Sequence, residues 1–509
     1  MSRILRAAVV VMFGFLLAKV TALVRQQVIA QAIGASGEAD AYFAAFTAPD
    51  LIFMLISGGA LATAFIPVFS EYLSNSDEQR AAAWRMASNV LTVSLLLSLI
   101  AASIAAVAAP LFVPTLIVPG FSPANQALTV DLMRIILLST IIFSISGLVT
   151  GVLHTLQHFL MPAFAPAVYN IGIIFGAIYL VPQMGIVGLA WGSVFGALLH
   201  LGVQIPVLFM RRTHLRPVFD LRDPGLRQVA LLMAPRAAAL GLIYSKFIVR
   251  TNLASRLGEG NVSVLDYAWD LMQLPETLFA TAVATAVFPT LAELAGPQNR
   301  QKLADTFNYA LRTILILTIP AAVGVLLLSL PIVRLFYERG NFTPETSLSV
   351  STALNFYAFG IVGHGLLEIV ARLYYARKDT LRPLFAAAVM LVVTFGVSWL
   401  TLDSLGTGGI ALGDTVGVFV EAGILLWWLR DRLPEALSRL TQSVTLKVGA
   451  ASAAMGAGIL IWLQLIGERS LYLVAGGGIL IGAVIFAGVA LLLGVEEIKQ
   501  MPRLMLRRA

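Results

Sequence analysis

Residues 16–50 read LLAKVTALVRQQVIAQAIGASGEADAYFAAFTAPD. The stretch begins as an apolar helix of bilayer-spanning character, yet carries Lys19 and Arg25 within its body. It turns at Gly34–Gly37 and enters a second apolar helix through Glu38 and Asp40. A charge at the centre of a lipid-spanning helix costs about 2.5–3.5 kcal/mol on insertion scales, and such side chains normally face a partner or a water-filled cavity. The stretch therefore predicts a membrane helix whose cations hold something.

The remainder of the chain carries the same signature. Of 509 residues, 59% are hydrophobic and 12% charged, and the mean hydropathy is +0.88. Soluble domains are about a quarter charged, so composition alone defines an integral membrane protein. Long apolar runs rather than short alternating ones exclude a β-barrel. With no cysteine, there is neither a disulfide framework nor a thiolate metal site. The start MSRILRAAVVVMFGFLLAKV runs into a full-length helix without a small-residue cleavage site, and reads as a retained first span.

Polar breaks divide the chain into fourteen apolar spans between residues 6 and 494. Basic residues crowd the loops around Arg211–Arg227 and Arg377–Arg382, and the tail from Lys499 to Arg508. The alternate loops hold almost nothing basic: Arg256, Arg339 and Arg469. The positive-inside rule then places both termini in the cytoplasm, which requires an even number of spans. The net charge of +7 is accounted for by these loops, and no nucleic-acid partner is expected.

An internal repeat organises the spans. From Arg25 to Arg250 is 225 residues, as it is from Tyr42 to Tyr267, while Pro49 and Pro275 stand 226 apart. AFIPVFSEYL (64–73) echoes AVFPTLAEL (286–294), with Pro67 and Pro289 separated by 222. LMPAFAP (160–166) echoes LRPLFAA (381–387), and GLAWGSVFG (188–196) echoes GIALGDTVG (409–417), both at an offset of 221. Spans 1–6 and 7–12 are thus two copies of one six-helix unit. Six is even, so the copies enter the membrane in the same direction, related by a two-fold axis along its normal. The expected architecture is an all-α integral membrane fold: a lobe over 1–215, a second over 216–435, and two further helices with a cytoplasmic tail over 436–509.

The repeat makes Arg25 and Arg250 equivalent, which predicts that both face a cavity between the lobes, with Lys19 on the same helix as Arg25. Lys246 and Arg250, four residues apart, share one face. Cations so placed suit an anionic substrate such as a diphosphate. The same side chains could instead pair with Asp50, Asp266, Asp270 or Glu276, or snorkel to an interface. Asp266 and Asp270 share a face of span 8 and could neutralise those cations or bind a coupling proton or sodium. Glu368, one turn after His364, and Asp414 with Glu421 are further candidates for ion coupling. No phosphate-binding loop of the Walker type occurs, so no ATP site and no cofactor are expected, and the energy source would be the membrane potential or an ion gradient.

KVTALVRQQVIAQAIGASGEADAYFAAF (19–46), GGALATAFIPVFSEYL (58–73), HFLMPAFAPAVYNIG (158–172), AVATAVFPTLAEL (282–294), RLFYERGNFT (334–343) and YYARKDTLRP (374–383) together resemble the MurJ/MviN family of lipid II flippases, in the multidrug/oligosaccharidyl-lipid/polysaccharide exporter superfamily. The resemblance spans nearly the whole chain. It implies a bacterial inner-membrane transporter that moves undecaprenyl-diphosphate-linked peptidoglycan precursor outward by alternating access, among membrane lipids and the cell-wall synthesis machinery. It also implies two lobes forming a V, with the last two helices making a groove for a polyprenyl tail. An O-antigen or capsule flippase, and a cation or drug antiporter of the superfamily, are the alternative functions.

Residue by residue, Arg25 matches one essential arginine of the family and Asp40 its aspartate between the first two helices. Lys19 stands where a second arginine is usual, which keeps charge but loses bidentate geometry. Phe53 and Gly58 occupy positions where a cation and a glutamate are expected, and Asp270 one where an arginine is expected. Lys246 and Arg250 are the candidates to replace the missing cations. Some members bind sodium on helices 7 and 11, but LFAAAVMLVVTFGVSWL offers no ligand for it.

Overall fold

The computed structural model describes residues 3–73, 77–210, 213, 215–433, 439–467, 470–495 and 497–498. Arg211, Arg212, Arg469 and the basic tail from Lys499 lie outside the described residues. Among those described there is no strand, and fourteen helical stretches are long and apolar enough to cross a membrane. We number them as spans 1 to 14: Phe13–Ile33, Gly37–Ile56, Arg80–Ile117, Pro123–Thr155, Leu160–Met184, Ile186–Met210, Pro224–Ser255, Asn261–Glu293, Arg300–Tyr337, Pro344–Ala376, Leu381–Leu405, Thr407–Asp431, Ser443–Ile466 and Tyr472–Leu492. Spans 3 and 9 each run 38 residues. At 1.5 Å per residue that is roughly 57 Å, well beyond a hydrocarbon core of about 30 Å. Side chains such as Val107 and Leu400, 79% and 81% exposed, present the apolar outer surface that lipid requires.

The chain forms two compact units, one of residues 1–263 with 339–342, the other of 264–338 with 343–509. The first therefore includes span 7, whereas the sequence repeat changes copy before it. Repeat and compact unit are different properties: one records sequence correspondence, the other where side chains pack.

The repeat reappears in the packing of each unit. In the first, Gly192 and Gly196 of span 6 lie so close to Gly176 and Gly172 of span 5 that any added Cβ would overlap the opposing backbone. In the second, a Cβ at Gly413 or Gly417 of span 12 would overlap Ser398 or Thr394 of span 11. Lipid offers helices no hydrophobic drive to associate, so close backbone approach through small residues does this work. Spans 13 and 14 pack on each other and on span 9, through Ile316, Val444, Val448 and Ala490 at one end and Leu328, Met455 and Ile459 at the other.

The sequence reads as one long second helix from 40 to 70; the structure breaks it into Gly37–Ala45, Thr47–Ile56 and Gly59–Leu73. Pro49 has no N–H to give the carbonyl four residues back, which opens the first break. At the second, the amides of Ser57 and Gly58 both turn onto the Phe53 carbonyl, at 2.8 and 2.7 Å. The repeat-equivalent Pro275 likewise ends a regular segment of span 8, where a π turn (Glu276–Thr281) follows. Both copies thus interrupt the same helix at the same proline.

Span 1 ends at Gly34, whose φ of +61° is the left-handed conformation glycine adopts without strain. Its amide bonds the Ala30 carbonyl at 2.9 Å. The orphan carbonyls beyond are taken by Asn341, whose amide donates to Gln31 at 3.0 Å and whose Nδ2 donates to Ala32 at 2.6 Å. A Cβ on Gly34 would overlap the Asn341 carbonyl. Gly34→Ala should therefore cost about 1–3 kcal/mol, read as a lowered midpoint of thermal unfolding in detergent. An unchanged midpoint would mean that the loop 339–342 yields freely.

Candidate functional site

Arg25 and Lys19 sit on span 1, each partly buried. The Arg25 guanidinium donates from Nη1 to Asn170 Oδ1 at 3.1 Å, while its Nε is buried without a hydrogen-bond partner. Asn170, on span 5, is held by its own amide, which donates to the Ala18 carbonyl at 3.2 Å and to Thr21 Oγ1 at 3.1 Å. The arrangement fixes the guanidinium in place while using one of its five N–H donors. Arg25 forms no ion pair and Lys19 neither ion pair nor hydrogen bond among the described residues. A cation held but not neutralised inside an apolar bundle suits an anion that arrives from outside.

Around Arg25 the first unit gathers aromatic hydroxyls. Tyr42, 2% exposed, shares a hydrogen bond of 3.0 Å with Ser193 on span 6 and feels the charges of Arg25 and Asp50. Tyr169 neighbours Arg25 in the same way. Asp50 on span 2 accepts from the Tyr244 hydroxyl of span 7 at 2.9 Å. Two and six residues further along span 7, Lys246 and Arg250 flank the Phe247 ring, at 5.3 and 5.2 Å from its centroid. Span 7 is the least buried of the fourteen, with 6% of its apolar window covered, so these cations sit on a helix that is largely open on its other faces.

Asp40, matched above to the family's aspartate and a candidate for contact with substrate, is bound within the protein. It is fully buried, and its two carboxylate oxygens receive three donors at 2.7 Å: the Gly260 amide on one, the Ser263 amide and hydroxyl on the other. Those amides are the orphan donors at the start of span 8, so the carboxylate caps that helix where its dipole is positive. Ser36 caps the helix that carries Asp40, accepting from the Ala39 amide at 3.2 Å. Asp40 is a positioning residue for the loop 257–263.

The remaining candidates belong to the second unit. Asp266 and Asp270 lie partly buried on span 8. Glu368 is bound by Arg372, four residues on along span 10, and Arg372 also donates to Thr285 at 3.1 Å. His364 pairs with Asp414 of span 12, Nε2 to Oδ2 at 3.2 Å, rather than acting with Glu368. Glu421 is buried on span 12. The sequence reading missed Arg372, Asn170 and Tyr244. The Glu–Arg spacing within an apolar span was a legible signal for Arg372. For Asn170 and Tyr244 there was none, since their partners are 145 and 194 residues away.

Fourteen apolar spans, a small-residue seam repeated in each unit and a guanidinium held by a neutral asparagine fit a polytopic membrane transporter. Comparison with known proteins narrows that class. The family model described as "Lipid II flippase MurJ" matches residues 29–475. The lipid II flippase MurJ of Burkholderia cenocepacia is 31% identical over 434 residues, 84% of each chain. The probable lipid II flippase MurJ of Vibrio cholerae is 27% identical over 510 residues, 97% of each. A solved structure titled "Lipid II flippase MurJ, inward closed conformation" superposes with a TM-score of 0.82 at 25% identity, covering 96% of this chain and all of that one. The chain belongs to the lipid II flippase MurJ family. An inward-facing multidrug resistance MATE transporter of the MOP superfamily, 18% identical with a TM-score of 0.68, shares the fold.

The Asp40 cap sets a test. Asp40→Ala leaves the Gly260 and Ser263 amides without their acceptor, while the Ser263 hydroxyl keeps the Gly260 carbonyl at 3.0 Å, and should destabilise the protein by about 3–5 kcal/mol; Ser263→Ala keeps both amide bonds to Asp40 and should cost about 1–2 kcal/mol. Thermal unfolding of the two variants in one detergent gives the order. Equal effects would remove Asp40 from the role of cap.

Proposed function

We propose that this protein flips lipid II, the undecaprenyl-diphosphate-linked peptidoglycan precursor, from the inner to the outer leaflet of a bacterial inner membrane by alternating access. Family membership supports the substrate, and the clustering of basic residues in alternate loops supports cytoplasmic termini. The observation that carries the reading to particular residues is the Arg25 guanidinium, anchored by Asn170 with donors left over, beside a Lys19 without a protein partner among the described residues. The diphosphate bridging lipid and sugar is the anion that fits: two phosphates accept from several N–H groups of one planar guanidinium. Lys19 adds charge without the fork geometry. Lys246 and Arg250 extend the cationic set along span 7, and the energy comes from the membrane potential or an ion gradient.

Complementation of a strain depleted of its lipid II flippase tests this. The wild-type chain should restore growth. Arg25→Ala should lower flipping by about tenfold to a hundredfold, the worth of one or two charged hydrogen bonds, and fail to restore it at equal membrane abundance. Arg25→Lys should retain part of the function. Growth restored equally by all three would dissociate Arg25 from the substrate. Failure of well-expressed wild type would favour another lipid-linked glycan.

A further inference from the structure

We propose that the turn joining spans 10 and 11, residues 377–382, is a binding site for the headgroup of an anionic phospholipid of the surrounding membrane. The proposal stands apart from the flippase reading and begins with the backbone. Among the described residues only two non-glycines have a positive φ, Gln157 and Lys378, each at +58°. They stand 221 residues apart, the offset of the repeat. Both close a helix in the same way. After span 10 the amides of Arg377, Lys378 and Asp379 reach the carbonyls of Leu373, Tyr375 and Tyr374, at 3.2, 3.0 and 3.0 Å. After span 4 the amides of Leu156, Gln157 and His158 reach those of Val152, His154 and Leu153, at 3.0, 3.0 and 2.8 Å. Glycine takes this left-handed position without strain. The helix cap itself has no need of a lysine there, so an exposed Lys378 points to a use for the side chain.

The two copies share the turn and differ in its charge. Leu156, Gln157 and Met161 of the first correspond, at an offset of 221, to Arg377, Lys378 and Arg382 of the second. Three cations less the one carboxylate of the turn, Asp379, leave a net charge of +2. Asp379 serves span 11: one oxygen accepts from the Arg382 amide at 3.3 Å and the other pairs with the Arg382 guanidinium at 3.2 Å. Arg377 and Lys378 are exposed, and the first borders a cleft lined by Leu373, Tyr374, Asp379 and Leu429. The scaffold does not require these cations, because the first copy makes the same cap without them.

What surrounds the cations identifies the anion. The Arg382 guanidinium lies over the Trp428 ring of span 12, 5.9 Å from its centroid, and Trp428 meets Phe385 of span 11 at 5.9 Å. Leu381, Phe385 and Trp427 are 76%, 59% and 65% exposed at the same ends of spans 11 and 12. Exposed aromatic rings at the end of a membrane helix sit at headgroup level, and exposed apolar side chains beside them meet acyl chains. A free phosphate ion makes no use of that apolar border, whereas a phospholipid uses both parts. Its phosphate meets Arg377 and Lys378, and its chains lie along Leu381 and Phe385. The turn is one of the basic loops that the charge asymmetry assigns to the cytoplasm, where anionic lipids attract basic clusters beside membrane helices.

Native mass spectrometry of the full-length protein in detergent tests the site with two added lipids, dioleoylphosphatidylglycerol and dioleoylphosphatidylcholine. The wild type should hold the anionic lipid about tenfold more tightly, and Arg377→Gln with Lys378→Gln should lower that affinity about tenfold while leaving phosphatidylcholine unaffected. Equal affinity of the wild type for the two lipids overturns the site, and so does phosphatidylglycerol binding that the double variant retains. Excess inorganic phosphate should leave the lipid bound; displacement would make a free anion the ligand and overturn the lipid assignment. Binding of undecaprenyl diphosphate in place of phosphatidylglycerol, lost in the same double variant, would overturn it in favour of the transported lipid. Lys378→Gly separates charge from backbone. It relieves the left-handed position, so the unfolding midpoint should not fall, while phosphatidylglycerol affinity should drop about threefold. Gln157→Gly should give the same midpoint response with lipid affinity unchanged. An equal loss of lipid affinity in both glycine variants would trace binding to turn flexibility and overturn the role of charge. Phosphatidylglycerol binding as expected in a protein that flips no lipid II supports the site and counts only against the flippase reading.

Discussion

An apolar solvent tolerates no idle charge, and that one constraint accounts for most of what is polar in this protein. Water at the surface of a soluble domain would satisfy a lone carboxylate or guanidinium; hydrocarbon does not. Asp40 is therefore met by three donors, Glu368 by Arg372, and Asp414 by His364. Each is a small closed circuit assembled from residues on neighbouring helices or adjacent turns. Against that background the treatment of Arg25 stands apart. Its partner, Asn170, is neutral, so the cation is positioned but its charge is left for something else to balance.

The same constraint governs the backbone. A break in a membrane helix frees amides and carbonyls that must find partners at once. The interrupted second span handles this with the paired turn of Ser57 and Gly58 onto Phe53, and with Thr140, whose hydroxyl donates to the Pro49 carbonyl at 3.3 Å. The end of span 1 borrows Asn341 from a loop more than three hundred residues away in sequence. Prolines at equivalent places in both copies show that these interruptions belong to the scaffold and not to one site. They divide long helices into segments, and hinged segments are what a transporter moves.

How much of this could be read from the residues follows from the range of each signal. Span number, the repeat and the intramembrane cations depend on composition and on fixed offsets, and all are visible in one dimension. So is the Gly-x-x-x-Gly spacing of GLAWGSVFG and GIALGDTVG, although its meaning as a seam between spans 5 and 6, and 11 and 12, needs three. The roles of individual acids were not legible. Asp40 looks like a site residue because it is charged and follows a cation-bearing helix; only the fold brings Gly260 and Ser263 to it. His364 lies one turn from Glu368 in sequence, yet the ring reaches Asp414 on another span, while Glu368 is claimed by Arg372. In a helical membrane protein, spacing along one helix tells which groups share a face but not which face of which neighbour meets them.

Two copies of one unit start with equal chemistry, so function must reside where they have diverged. The glycine seams and the helix-breaking prolines are retained in both, because either copy loses its packing or its hinge without them. Charge is retained at the equivalent Arg25 and Arg250, but not at Ser193 and Asp414. The first copy keeps Arg25 against a neutral asparagine and places a serine–tyrosine hydrogen bond where the second places a histidine–carboxylate contact. A duplicated scaffold accepts such divergence within one fold, since Ser193 and Asp414 occupy the same place in the same packing motif and differ in what they can ionise.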